Sequence, residues 1–332
     1  MKSKLREVHV SEAVGLVLAH DLTQVLPGKY KGPLFRKGHV VREEDREALL
    51  SIGKEHLYVL EIAEGEWHEN DAALRIATAV CGTGLTLTQP REGKVNLVAE
   101  RDGLLQVDAN RVHGINQVEQ AVLSTRKTDI PVKKEDIVAA TRVIPLLYPE
   151  ERLRQVEAAA LADATLPVLE VVPFPQRKVG VVITGSEVYH GRIQDRFGPV
   201  VQEKVERFGS VIMGQTLASD EKDRIIEQVR AFVEQGADLV CVTGGMSVDP
   251  DDRTPGAIKA LGADVISYGT PMLPGSMLMV AYYQQTPILG LPGCVIHDEY
   301  TSFDVFLPRI LVGKRITRHD IVQLGYGGLH SC

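Results

Sequence analysis

Several classes of protein are excluded by what this 332-residue chain lacks. Its cysteines, Cys81, Cys241, Cys294 and Cys332, lie far apart and form no Cys-x-x-Cys pair, so neither a zinc site nor a disulfide framework is encoded. No apolar run approaches the roughly 20 residues that span a bilayer, so no membrane association is expected. Met1 to Glu7 carries charges but leads into neither an apolar stretch nor a small-residue cleavage site, and the chain reads as cytoplasmic. A positive excess is also missing. The formal net charge is -7, which argues against nucleic acid as the main partner and leaves any anion to a local pocket.

What is present fills more than one core, since a single core rarely grows past about 250–300 residues. The clearest boundary is TLPVLEVVPFPQR, residues 165–177, where three prolines interrupt the pattern. Before it, short β-branched runs such as HLYVLEI and KVNLVAE alternate with a few helical stretches, for example REEDREALLSIG and the segment from Pro149 to Ala164. Residues 1–164 are therefore expected to form a strand-rich α+β region of one or two small modules. After the linker, VGVVITG, SVIMGQTL, DLVCVTGG and PILGLPG alternate with the amphipathic PVVQEKVERFG, DEKDRIIEQVRAFVEQG and TPGAIKALG. Fully apolar strands joined by helices require crossovers, which predicts a three-layer α/β domain with a mainly parallel sheet over 178–316. A last helix is expected over His297 to Val312, bent at Pro308, and residues 317–332 as a tail.

Three of the apolar strands run straight into glycine turns, ending at Glu187, Ser247 and Cys294. In a parallel sheet such turns share the carboxyl edge, where open α/β folds bind ligands and glycine lets backbone amides approach an anion. Each glycine alone could simply complete a tight turn; three together favour a site for a phosphate-bearing ligand. Acids crowd these turns: Glu187, Asp195, Asp249, Asp251 and Asp252. They are either solvated loop residues and caps or, beside a phosphate, ligands of a hard cation such as Mg²⁺. Asp220 is read either as the cap of the following helix or as a site residue, and Thr254-Pro255 as an N-cap and first helical residue. Cys294 at a helix start could gain thiolate character or be a small buried residue, and His190 and His297 flank two turns as candidate phosphate donors.

The stretches TGSEVYHGRIQD, SDEKDRI, VTGGMSVDPDDRTPGAI, MLPG and GLPG, in this order, resemble the molybdopterin-binding domain shared by molybdopterin adenylyltransferases and molybdopterin molybdotransferases. The resemblance covers about Arg177 to Val312. It implies that Thr184, Gly185, Gly244, Gly245, Ser247, Pro274, Gly275, Pro292 and Gly293 bind the pterin ligand. It further implies that Glu187, Asp195, Asp220 and Asp252 serve catalysis, with Asp195 and Asp252 holding magnesium. Asp249-Pro250, Ser276 and Cys294-Val295 depart from the molybdotransferase pattern, and the first half lacks the Met-Asp-Gly-Tyr-Ala-like stretch of that branch.

The whole chain is similar to bacterial molybdopterin-binding proteins. The expectation is molybdotransferase-like insertion of molybdate into nucleotide-activated molybdopterin; the alternative is a non-catalytic carrier or chaperone serving a molybdenum hydroxylase. Molybdopterin or its adenylylated form, Mg²⁺ and molybdate are the implied ligands. A homo-oligomer is implied by the resemblance and by short strands whose edges need covering.

Overall fold

A computed structural model describes residues 4–26, 30–162, 166–247 and 253–330. Chain contacts divide it into two compact units, one built mostly from residues up to Val171 and the other mostly from Val172 onward.

The first unit is strand-rich. Its leading part is a three-stranded antiparallel sheet in which His56–Glu61 lies between Lys4–His9 and Val17–Leu18. Alternation puts Val8, Leu57 and Val59 on the inner face, against Ala13, Leu18, Val41 and the helical Leu49 of Asp45–Ser51. A second sheet, all antiparallel, orders Ala121–Thr125, Ile137–Val143, Lys94–Ala99 and Leu85–Leu87. Helices Glu69–Val80, Ala109–Asn116 and Glu150–Leu161 accompany it.

The second unit is the three-layer domain. Six strands lie in the order Val211–Ala218, Lys178–Thr184, Leu239–Thr243, Thr286–Leu291, Met279–Tyr283, Asp264–Tyr268. The first four are mutually parallel, and Met279–Tyr283 runs antiparallel to both its neighbours. Because the four inner strands are buried on both faces, odd and even residues serve different layers. Val179, Val181 and Ile183 pack with Val201, Val205, Phe303, Phe306 and Leu307 of helices Phe197–Glu206 and Ser302–Leu311. Val182, Val240 and Val242 pack instead with Ile225, Val229 and Phe232 of Lys222–Glu234 and with Ala257 and Ile258 of Thr254–Ala260. Each fully buried side chain of this size contributes about 1.5–3 kcal/mol.

Two expectations need correction. The last helix starts at Ser302, not His297, because Thr301 and Asp304 form a capping box there, and His297 instead ends a 3₁₀ turn over Gly293–Ile296. The segment expected as a tail forms a helix over Arg318–Val322 whose Ile321 is fully buried in the same core as Ile316. The strand Met279–Tyr283 is an addition to the expected set; it continues from the MLPG turn without a helix to announce it.

Phe232 lies flat on two neighbouring strands and can do so only over glycine: a Cβ on Gly180 would fall 2.5 Å from its Cγ, and one on Gly214 3.0 Å from its Cε1. Gly180→Ala is therefore expected to cost about 1–3 kcal/mol, read as a lower urea midpoint with an unchanged slope. An unchanged midpoint would mean that the ring is free to move aside.

Candidate functional site

The four parallel strands end on one edge of the sheet, and the turns following them line a cavity of about 670 Å³. Thr184, Gly185, Glu187 and Asp195 come from the end of Lys178–Thr184 and the turn after it, Asp220 from the turn after Val211–Ala218, Gly244 and Gly245 from the turn after Leu239–Thr243, and Ile296 and His297 from the 3₁₀ segment. Eight of the sequence-expected residues, His297 included, thus meet in one place. Pro274, Gly275, Pro292 and Gly293 do not join them; with Ser276, Cys294 and Asp298 they line a second cavity of about 430 Å³. The single pocket implied by the glycine turns is two cavities, because the turn after Leu291 gives its start to one and its end to the other. Ser247 is exposed and lines neither. Asp252, with Asp249 and Asp251, lies outside the described residues.

The cavity floor is set by a close approach of two strand ends. Gly244 and Gly245 both take positive φ, 85° and 56°. A Cβ on Gly244 would lie 2.3 Å from the Thr184 carbonyl oxygen, so no other residue fits. Thr254, fully buried, donates its hydroxyl to the Gly244 carbonyl at 2.9 Å and lies 3.3 Å from the Thr184 hydroxyl. Its backbone N–H donates to the Gly245 carbonyl at 3.2 Å. The N-cap reading of Thr254 is therefore corrected: it is the first helical residue, with Arg253 at the cap position, and its hydroxyl ties the helix back onto the glycine turn.

The acids divide by what they hold. Asp195 accepts the Phe197 N–H on one oxygen at 2.8 Å and the Gly198 N–H on the other at 2.9 Å, so it caps the start of helix Phe197–Glu206. Gly198 permits this approach, since a Cβ there would lie 2.5 Å from the Asp195 carboxylate and 2.6 Å from the Gln215 side chain. Asp220 behaves in the opposite way to its capping reading. The helix it precedes has no side-chain cap, and its carboxylate instead accepts both the N–H (2.7 Å) and the hydroxyl (2.8 Å) of Ser186. Glu187 is exposed, and its carboxylate folds back towards Gly185.

Sequence reasoning missed Ser186 and the apolar wall of Val188, Ile193 and Phe197. The signal for Ser186 was present, a hydroxyl directly after the turn glycine with an unassigned acid downstream. His297 lines the cavity and His190 is not among its lining residues. At Cys294, burial first and then Asp298 push the thiol above its ordinary value, so it stays protonated rather than becoming a thiolate. Among the described residues no group of three or more His, Cys, Asp or Glu is assembled to hold a metal ion, and no helix is long and apolar enough to cross a membrane.

The hydrogen bonds of the acids can be tested one by one. Asp195→Ala removes both capping acceptors and should cost about 0.5–2 kcal/mol in chemical denaturation; a variant as stable as the parent would show the caps to be dispensable. Ser186→Ala should change stability less than Asp220→Ala, which leaves the Ser186 N–H without its acceptor. Equal losses of stability in the two variants would contradict this ranking.

Comparison with known proteins matches residues 180–311 to a family described as a probable molybdopterin binding domain, and residues 7–61 to a domain of unknown function. The molybdopterin molybdenumtransferase of Staphylococcus aureus (strain COL) is 31% identical over 155 residues, 43% of this chain and 36% of the relative. A CinA-like protein of Mycobacterium tuberculosis (strain ATCC 25177 / H37Ra) is 39% identical over 77 residues, 23% of this chain and 18% of that protein. The matched part of the chain therefore spans about a third or less of the length of these curated relatives. Among solved structures, the molybdopterin biosynthesis enzyme MoaB from Thermus thermophilus aligns with a TM-score of 0.36 at 23% identity, covering 42% of this chain and 98% of its own. The protein CinA from Thermoplasma acidophilum aligns at 0.32 and 18% identity, covering 36% and 89%. Residues 180–311 therefore carry the domain whose family is described as a probable molybdopterin binding domain.

Proposed function

We propose that this chain binds nucleotide-activated molybdopterin across the carboxyl edge of its parallel sheet and inserts molybdate into it. The observation that carries the reading is the 670 Å³ cavity whose floor is the Gly244-Gly245 turn and whose walls hold Glu187, Asp195 and Asp220. A glycine turn at a strand end suits a phosphate, and the carboxylates would repel that phosphate unless a hard cation lay between. After its two N–H bonds, Asp195 keeps a lone pair on each oxygen, so it fits Mg²⁺ as one carboxylate ligand alongside phosphate oxygens and Asp252. The ion would offset phosphate charge, while Thr184, Gly185, Gly244 and Gly245 hold the phosphate end, with Ser247 outside the cavity. Pro274, Gly275, Pro292 and Gly293, in the second cavity, would take the remainder of the ligand.

A second reading, a non-catalytic carrier or chaperone for a molybdenum hydroxylase, is favoured by one observation: each Asp195 oxygen already accepts a backbone N–H, which weakens it as a cation ligand. Turnover separates the two. Purified protein given adenylylated molybdopterin, molybdate and Mg²⁺ is expected to release AMP, and Asp252→Asn to lower the rate with the melting temperature held, since a loop acid contributes little to stability. Tight pterin binding without AMP release would establish the carrier instead. A variant that binds and turns over normally but melts several degrees lower would make Asp252 a structural residue. We further propose a cytoplasmic homo-oligomer, and a monomeric mass in solution scattering at micromolar concentration would overturn the oligomer.

A further inference from the structure

Four of the ten histidines of the chain, His9, His20, His39 and His56, fall within residues 7–61, the segment matched only to a domain of unknown function. Two of them are engaged by neighbouring side chains, while His9 also caps the 3₁₀ turn Val10–Glu12 through the Ser11 N–H. His39 bonds Asp45 at 2.6 Å and stacks on Phe35, and His20 leans on the Tyr58 ring with centroids 5.9 Å apart. His9 and His56 face each other instead. They stand directly opposite each other on adjacent antiparallel strands, both exposed, on the face of the sheet turned away from the Val8, Leu57 and Val59 core.

The ladder makes this a close pair. The next pair along bonds through its backbone, with the Val10 N–H donating to the Glu55 carbonyl at 2.8 Å. His9 and His56 therefore occupy the alternate, non-hydrogen-bonded position, where opposite Cα atoms are about 4.5 Å apart and side chains are nearest. Their ring centroids are 5.3 Å apart with the planes at 75°. Two imidazoles so placed can turn their free nitrogens onto one ion at about 2.0–2.1 Å from each. His9 is also oriented from behind. Its Nδ1 lies 2.7 Å from the Ser11 hydroxyl, so a ring protonated at Nδ1 donates to that oxygen and leaves the Nε2 lone pair outward. The Ser11 N–H, 3.3 Å from the same Nδ1, loses that acceptor in this tautomer.

We propose that His9 and His56 form a two-histidine site for a divalent late transition-metal ion on the outer face of this sheet. Paired neutral imidazoles suit Cu²⁺, Ni²⁺ and Zn²⁺ and offer nothing to Mg²⁺ or Ca²⁺. Since no group of three ligands is assembled among the described residues, the other coordination positions belong to water or to a donor from outside the chain. The site is independent of the pterin reading and gives the N-terminal module a ligand chemistry of its own.

Calorimetric titration of the full chain with Ni²⁺ tests it. One binding event per chain is expected, lost in His9→Asn and in His56→Asn, kept in His20→Asn, and weakened about tenfold or more in Ser11→Ala through the loss of the orienting hydroxyl. These side chains are exposed, so the variants should fold. As a check independent of folding, substoichiometric Ni²⁺ should broaden the ring proton resonances of His9 and His56 together and ahead of the other histidines. A His9→Asn/His56→Asn double variant that binds Ni²⁺ as tightly as the parent would overturn the site, as would broadening that begins at any other histidine.

Discussion

The closeness with which the strand ending at Thr184 meets the turn at Gly244 controls the rest of the site. The carbonyl of Thr184 occupies the space that any side chain at Gly244 would need, 2.3 Å from a hypothetical Cβ. The buried Thr254 then bridges the two, donating to the Gly244 carbonyl and touching the Thr184 hydroxyl. Because Thr254 opens the helix Thr254–Ala260, that bridge fixes where the helix begins and how the preceding loop must return. Three elements are locked by two hydroxyls and one missing methyl group. Such buried polar contacts are worth about 1 kcal/mol each when made, and cost more when one partner is removed.

Much of the α/β domain was legible because both its signals are local. Continuous apolar strands alternating with amphipathic helices admit only a crossover topology, and the two-faced packing of Val181 and Val182 is what that pattern demands. The antiparallel strand Met279–Tyr283 escaped because its neighbour Thr286–Leu291 follows after a two-residue turn, so no helix marks it. The late start of the final helix escaped because a capping box is set by two short side chains, Thr301 and Asp304, which bond each other and the backbone N–H groups of Thr301 and Phe303. Asp304 is further held by the buried Lys204, 2.6 Å away, a contact across the fold that spacing along the chain does not predict.

The site was legible as a set of residues but not as a set of roles. Turn glycines announce themselves by what they lack, so Gly185, Gly244 and Gly245 could be gathered from sequence and do meet in one cavity. Carboxylates give no such sign. Asp195, read as a metal ligand, caps a helix two residues later; Asp220, equally readable as a cap, reaches across to Ser186 on a different strand-end turn. Which helix an acid caps is decided by the path of the loop that carries it, and that path depends on tertiary packing. The division of the expected pocket into two cavities has the same origin: Pro292 to His297 turns through a 3₁₀ segment, and its two ends face different spaces.

The capping role of Asp195 bears on the proposed cation site without opposing it. A carboxylate fixed by two backbone N–H groups has lost its rotational freedom, so any ion or proton it meets finds an oriented oxygen rather than a mobile one. The same bonds draw negative charge toward the helix and weaken each oxygen as a donor to a cation. Orientation would help the proposed turnover, and lowered donor strength would hinder tight cation retention. A carboxylate held this way therefore suits an ion that arrives with its phosphate ligand and leaves with it better than one kept between turnovers.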